Sequence, residues 1–387
     1  MGEKPWYYNI LAKKKACILG GRILKLELSR NQLKIQTAAQ ARKVFLMSDY
    51  NEISAEIQEE TATVRAYEQK KEKNFNFLPF MLGKASVKML ERIDSCGQNL
   101  LFAANEEKSK HRLYKGYFCG NRWCPYCAWR KARRDAVKLS VLMTAIKDIY
   151  RYEFLFVTLT TPNVPAEKLE SEIRHFNQSF LKMMKRKKFR GWGEKRSGEA
   201  YKGFVKGYMK KVEVTYNRDR DDFNPHLHVL IAVNKSYFKK NYLSKAEWLD
   251  VWRDVTGQPE ITQVDVKRVK TDEKDNAVQE MAKYAAKDSE YLLNQEVFDT
   301  FFASLKHKRT VNYAGIFKDF AKRYEEDELD EYKILDNEHY VWILMAKFNY
   351  DSMTYERKYR IMTANEKNDL YDYVDGDECT DEQTINS

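Results

Sequence analysis

The chain has 387 residues, 43% of them hydrophobic, which allows one large domain or two to three smaller ones, each with a real core. Its 68 Lys and Arg against 57 Asp and Glu give a formal charge of +11, which suits a polyanionic partner without proving one. No run of about 20 apolar residues is present, which argues against a membrane span. Met1 to Lys15 lacks the apolar stretch and small-residue cleavage site of a secretory signal. Six cysteines in so long a chain do not make a secreted disulfide scaffold, so a cytoplasmic protein is expected.

In chain order the sequence divides into four regions. Residues 1–82 contain a strand-like stretch, Arg22 to Leu28, and a polar helical stretch, Asn51 to Lys71, with no recognisable chemistry. Residues 83–135 carry Cys96, Cys119, Cys124 and Cys127, a C-x22-C-x4-C-x2-C spacing, and run into a basic helix beginning near Ala128. This pattern predicts a four-thiolate structural Zn²⁺ site that ties together loops with little core of their own. Cys124-Pro125-Tyr126-Cys127 also matches the dithiol of glutaredoxin-like proteins. That reading needs a preceding strand in a compact redox fold, and the two further cysteines nearby favour zinc.

Residues 136–330 alternate strands and helices. Phe154 to Thr160 is apolar and β-branched enough to be an interior strand. Between Lys182 and Lys211 stand twelve Lys or Arg and two acids, interleaved with aromatic residues, as in surfaces that pair phosphates and stack unpaired bases. The sharpest signal is Asn224-Pro225-His226-Leu227-His228-Val229-Leu230-Ile231. Alternation along a strand puts His226 and His228 on one face and Leu227, Val229 and Ile231 on the other. Lys211 to Tyr216 precedes it, and the polar connector Asn217 to Asn224 predicts an antiparallel hairpin that brings Glu213 beside the histidines. Two imidazoles and a carboxylate suit Mn²⁺ or Mg²⁺, with Zn²⁺ left open.

Asn276 to Leu293 has helical spacing. Glu280, Tyr284, Lys287 and Tyr291 fall within a sector of roughly 60° on one face. A phenol can attack phosphorus once the phosphate is polarised; Lys287 would steady the phosphate and Glu280 would activate water or a hydroxyl. Tyr291 is an alternative nucleophile on the same face. Phe298 to Tyr324 reads as helical with a short break. Residues 331–387 form a C-terminal region whose acidic end, from Asn365, is expected to fray.

The combination resembles the plasmid rolling-circle replication initiators of the HUH (His-hydrophobic-His) endonuclease superfamily. Phe156-Val157-Thr158-Leu159-Thr160 is similar to its first motif, Pro225-His226-Leu227-His228 to its metal motif and Lys283-Tyr284-Ala285-Ala286-Lys287 to its nucleophile motif. The cysteine segment and Tyr313-Ala314-Gly315-Ile316-Phe317 also look like family sequence, so the likeness covers about Cys96 to Phe320. Many members have histidine where this chain has Asn224, which is not counted as a ligand. The resemblance implies an α+β HUH fold, a central antiparallel sheet flanked by helices with the histidines on a central strand and a zinc-binding segment inserted or preceding. It also implies nicking of a double-strand origin by Tyr284 through a 5′-phosphotyrosine, with Glu280 serving the terminating cleavage. Expected partners are origin DNA in double- and single-stranded form, a host helicase and a polymerase, with a homodimer left open. The expected DNA contacts are Arg122, Arg130, Lys131, Arg133 and Arg134, and Lys185, Arg186, Lys187, Lys188 and Arg190. A mobilisation relaxase and a non-catalytic zinc-containing DNA-binding protein are the competing readings.

Overall fold

The computed structural model describes residues 17–19, 22–24, 55–195, 197–269 and 291–370, with side chains described from Thr63 onward. In chain order these residues form β1 (Cys17–Leu19), β2 (Arg22–Leu24), α1 (Ala55–Phe77), α2 (Val87–Asp94), β3 (Asn99–Asn105), β4 (His111–Gly116), α3 (Pro125–Tyr150), β5 (Glu153–Thr160) and α4 (Ala166–Lys185). There follow β6 (Val205–Asn217), β7 (Asp222–Val233), α5 (Lys245–Thr256), β8 (Val264–Val269), α6 (Gln295–Leu305), β9 (Val311–Gly315), α7 (Ile316–Glu325), β10 (Tyr340–Asn349), β11 (Thr354–Ile361) and α8 (Ala364–Asn368). Two compact units result. The first takes the described residues up to Ala128 and those from Asn337 onward; the second is Trp129–Asp336.

In the first unit, four antiparallel strands lie in the order β11-β10-β3-β4. Leu344 of β10 sits opposite Phe102 of β3, and Tyr67 of α1 sets its ring edge-on to Phe102 at 5.0 Å. Tyr355 of β11 packs on Phe348 of β10, and its hydroxyl reaches the Gly97 carbonyl beside the first cysteine. Helix α2 starts cleanly because Ser86 Oγ accepts from the Met89 amide, the usual N-cap arrangement.

The second unit is built on five antiparallel strands in the order β8-β5-β7-β6-β9, so β7 is central and β5 is hydrogen-bonded on both sides. Alternation sorts the side chains. Phe154, Phe156, Leu230, Ala232, Met209 and Val269 point to one face and bury themselves under Leu139, Leu142 and Ile146 of α3 and Phe317 and Phe320 of α7. The opposite face takes α4, where Phe180 sets its ring edge-on to Tyr208 at 5.0 Å, and α6, where Phe301 meets Phe223 at 5.4 Å. Helix α5 begins with a capping box between Ser244 and Glu247 and ends at Gly257 in the left-handed region.

Two features were not expected. Besides the central sheet of the second unit, the first unit has a sheet of its own. The break in the helical stretch from Phe298 to Tyr324 is present, and β9 occupies it and pairs with β6. That pairing needs a glycine. A Cβ at Gly207 would lie 2.5 Å from the Ala314 carbonyl oxygen and 2.6 Å from the Ile316 nitrogen, both backbone atoms that cannot swing aside. Gly207→Ala is expected to destabilise the protein by about 1–3 kcal/mol, the range for overpacking, read as a lower urea midpoint; an unchanged midpoint would show that β9 yields freely.

Candidate functional site

The register of β6, β7 and β5 assembles the first site. Glu213 stands opposite His226 and Lys211 opposite His228; across the other edge of β7, Thr160 stands opposite His226 and Thr158 opposite His228. All six side chains share the face whose other half is covered by α3 and α7. Glu213 Oε2 lies 2.6 Å from His226 Nε2 and 2.8 Å from His228 Nε2. The His228 and Glu213 side chains are almost wholly buried and that of His226 is slightly more open. His228 stacks on Phe156, with ring centroids 5.7 Å apart and planes 20° apart.

The far side of each imidazole decides what the near side offers. His226 Nδ1 is 3.2 Å from the Asn224 carbonyl oxygen, which can only accept, so Nδ1 carries a proton. His228 Nδ1 has the Thr158 hydroxyl, which can accept or donate, at 3.2 Å. A proton on Nδ1 leaves the His226 Nε2 as a lone-pair donor, and His228 presents the same atom when Thr158 accepts from its Nδ1. Two imidazole lone pairs and a carboxylate oxygen converging on one point repel each other unless a proton or a cation sits among them. Such a mixed nitrogen and oxygen set fits a divalent ion with open positions. With protons and no ion between them, burial pushes the Glu213 carboxyl up, but protonated His226 and His228 outweigh it through their Nε2 hydrogen bonds and charges and hold the group at about 2. Burial lowers His228, partly offset by its bond to Glu213. Burial also brings Lys211 down to about 8 against the pull of Glu213 and Asp135. Thr158→Val removes the hydroxyl partner of His228 Nδ1 while keeping its shape, and should weaken Mn²⁺ binding about tenfold in a titration; unchanged affinity would remove Thr158 from the site.

The second candidate site lies in the first unit. Sγ of Cys127 is 3.6 Å from that of Cys96 and 3.5 Å from that of Cys119, and Cys124 is 3.9 Å from Cys96. Four sulfurs about 2.3 Å from a central ion form a tetrahedron with edges of about 3.8 Å, so these residues fit a tetrathiolate metal. Gly97 and Gly120, next to Cys96 and Cys119, have φ of +68° and +69°. That backbone is open to glycine, and it lets the amides of Cys119 and Asn121 turn onto Cys96 Sγ and Cys119 Sγ, each at 3.4 Å. Cys124-Pro125-Tyr126-Cys127 straddles the start of α3, with no strand entering it, unlike a glutaredoxin-like dithiol.

Tyr284, Glu280 and Lys287 lie outside the described residues. Tyr291 packs against Phe298 and Phe301, and Phe301 meets Phe223, which alternation places on the face of β7 opposite the histidines. Of the basic residues, Lys185, Lys187, Lys188, Arg122 and Arg134 are exposed. Arg133 lies over the Trp129 ring, Arg190 stacks on Tyr201 at 3.9 Å, Lys131 pairs with Asp135 at 2.7 Å and Arg186 pairs with Asp254. Arg130 is buried. Sequence reasoning missed four residues that the structure brings to the two sites. Lys211 and Thr158 were findable, being same-face neighbours by alternation of Glu213 and, across the sheet, of His228. Lys71 and Asn74 of α1, buried against the cysteines, carried no such signal.

Fold and sites define an α+β protein with antiparallel sheets, helices against them and two clusters of metal-binding type. The family model described as Replication protein matches residues 110–362. A "Protein rep" of Staphylococcus aureus is 48% identical over 231 residues, 59% of this chain and 95% of that protein. A "Protein rep" of Streptococcus pneumoniae is 35% identical over 242 residues, 61% of this chain and 72% of that protein. One of Lentilactobacillus hilgardii is 29% identical over 311 residues, 75% of this chain and 94% of that protein. The chain therefore belongs to the Rep family of plasmid replication initiators. No solved structure matches it. Among the described residues no helix is long and apolar enough to cross a membrane.

Proposed function

We propose that this initiator is an HUH-type endonuclease and strand transferase that nicks one strand of a plasmid origin to start rolling-circle replication. The observation that carries the reading is the convergence of Glu213, His226 and His228 on one point of the sheet face, with both imidazoles oriented from behind. A divalent ion held there, Mn²⁺ or Mg²⁺, would supply Lewis-acid polarisation of a phosphoryl oxygen. The Tyr284 hydroxyl attacks phosphorus; the bond from phosphorus to the 3′-oxygen breaks, the tyrosyl oxygen takes its place, and the phenolic proton passes to the departing 3′-oxygen. The product is a 5′-phosphotyrosine and a 3′-OH that primes a polymerase. Lys287 holds the phosphate, and Glu280 takes the proton of the water that ends the cycle. The exposed lysines and arginines of residues 182–190 and of the start of α3 pair backbone phosphates of the origin. The four cysteines hold structural Zn²⁺.

The test incubates the protein with supercoiled origin DNA and Mn²⁺ and looks for nicked circles carrying a tyrosine-linked 5′ end. Tyr284→Phe is expected to abolish that adduct and Tyr291→Phe to leave it intact, because the Tyr291 ring packs away from the histidine face. Absence of nicking by the intact protein would favour a DNA-binding role without catalysis; nicking that survives Tyr284→Phe and is lost with Tyr291→Phe would reassign the nucleophile.

A further inference from the structure

Helix α1 precedes the part of the chain matched by the family model, and most of it is polar. Two of its polar residues nonetheless point inward. Lys71 and Asn74, one turn apart, are each 1% exposed. Lys71 Nζ donates to the Asp94 carbonyl oxygen at 2.5 Å and to Asn74 Oδ1 at 3.2 Å, and the rings of Tyr350 and Phe348 lie 5.3 and 5.9 Å away. The Asn74 amide nitrogen donates in turn to Cys124 Sγ at 3.2 Å. Both hydrogen-bond acceptors of the ammonium are neutral. Burial lowers the Lys71 pKa, and the neighbouring Cys96, Asp94, Cys124 and Cys119 pull it back up.

A lysine is almost never fully buried without a charge to answer it. A dication in four thiolates leaves a net charge of −2 at a site with little access to water, which is as costly to bury as the lysine. Each explains the other. We propose that Lys71 and Asn74 are the outer shell of the tetrathiolate centre: the Lys71 ammonium balances its negative charge, and Asn74 joins the two by accepting from Lys71 and donating to Cys124. The inference rests on the reading of the cysteines as a zinc site. By drawing electron density from Cys124 the pair makes that sulfur a poorer nucleophile and harder to protonate, and the ammonium offsets the charge that would drive a thiolate off, so the centre is inert and not a redox dithiol. It also makes α1 part of the metal site.

The test uses the full chain, purified with zinc and quantified by metal analysis. Lys71→Met keeps the stem and removes charge and donors; Asn74→Asp keeps the shape, cancels the lysine charge and sets an anion against Cys124. Each is expected to release zinc to 4-(2-pyridylazo)resorcinol about tenfold faster or more, the usual scale of outer-shell effects. Each should also speed N-ethylmaleimide labelling at Cys124, mapped by peptide mass. Asn74→Leu, which keeps the shape but loses both the donor to Cys124 and the acceptor for Lys71, should speed labelling at Cys124 more than at Cys127. Should Lys71→Met fail to fold, the two Asn74 variants carry the test. Zinc-loaded variants that release and label at the wild-type rate overturn the outer-shell role. Wild-type protein with no metal at its cysteines overturns the zinc reading itself, a distinct result.

Discussion

Replacing His226 or His228 with alanine is expected to abolish nicking, by about 10³-fold or more, while the protein still folds. Lewis-acid stabilisation of a phosphoryl transition state is worth several kcal/mol, and about 1.4 kcal/mol corresponds to each factor of ten in rate. Each histidine supplies one of the three donors that converge there among the described residues, so losing either leaves an incomplete set. The fold should survive because β7 is also anchored by its other face. Leu227, Val229 and Ile231 are fully buried there and untouched by either change. His226→Ala should be the milder for folding, since the His226 side chain is the more exposed and that of His228 is sealed against Phe156. The check pairs a nicking assay with Mn²⁺ titration and circular dichroism. Variants that nick at the wild-type rate with normal Mn²⁺ dependence would dissolve the metal site.

Glu213 separates charge from shape. Glu213→Gln keeps the side-chain volume between the two imidazoles but removes the anion, leaving the buried Lys211 on the same face with one fewer counter-charge. Mn²⁺ affinity should fall sharply, and raising Mn²⁺ should restore part of the activity. A histidine variant that lacks a ligand atom and a neighbour's support should be less rescuable.

How far these sites could be read from sequence depended on how local their determinants are. The hairpin of β6 and β7 was legible because a period of two over Lys211 to Tyr216 and Pro225 to Ile231, joined by a short polar turn, leaves one sensible register. The structure closes that turn with Asn217 opposite Asp222 and puts Glu213 opposite His226. β5 was legible from its apolar run. The first unit's sheet was not, because Tyr340 to Asn349 pairs with Asn99 to Asn105 across more than half of the chain, and nothing local announces a partner so distant. β9 was hidden for the opposite reason: five residues between two helices are too few to show a period, and their strand character comes from docking against β6 at Gly207. Lys71 and Asn74 carried no local signal, because what buries a lysine is a partner that sequence cannot place beside it.

As a proposed structural zinc site, the cysteine cluster is expected to act on stability more than on chemistry. Between Gly97 and Cys124 the chain passes through glycine turns in the left-handed region, with sulfur as the acceptor of its turn amides. Structural zinc contributes roughly 10 kcal/mol or more of coupled folding free energy in small domains, comparable to the whole stability of a typical domain. Cys119→Ser, which keeps size and breaks one ligand, is therefore expected to leave the first unit without a cooperative transition. The second unit has its own core of α3, α7 and the five-stranded sheet, so its unfolding should persist. Calorimetry of wild type, of wild type stripped by a chelator and of Cys119→Ser should show the same single transition lost in the last two. If all three gave the same trace, the four sulfurs would be close-packed thiols with no ion to organise them, and the outer shell of Lys71 and Asn74 would have nothing to balance.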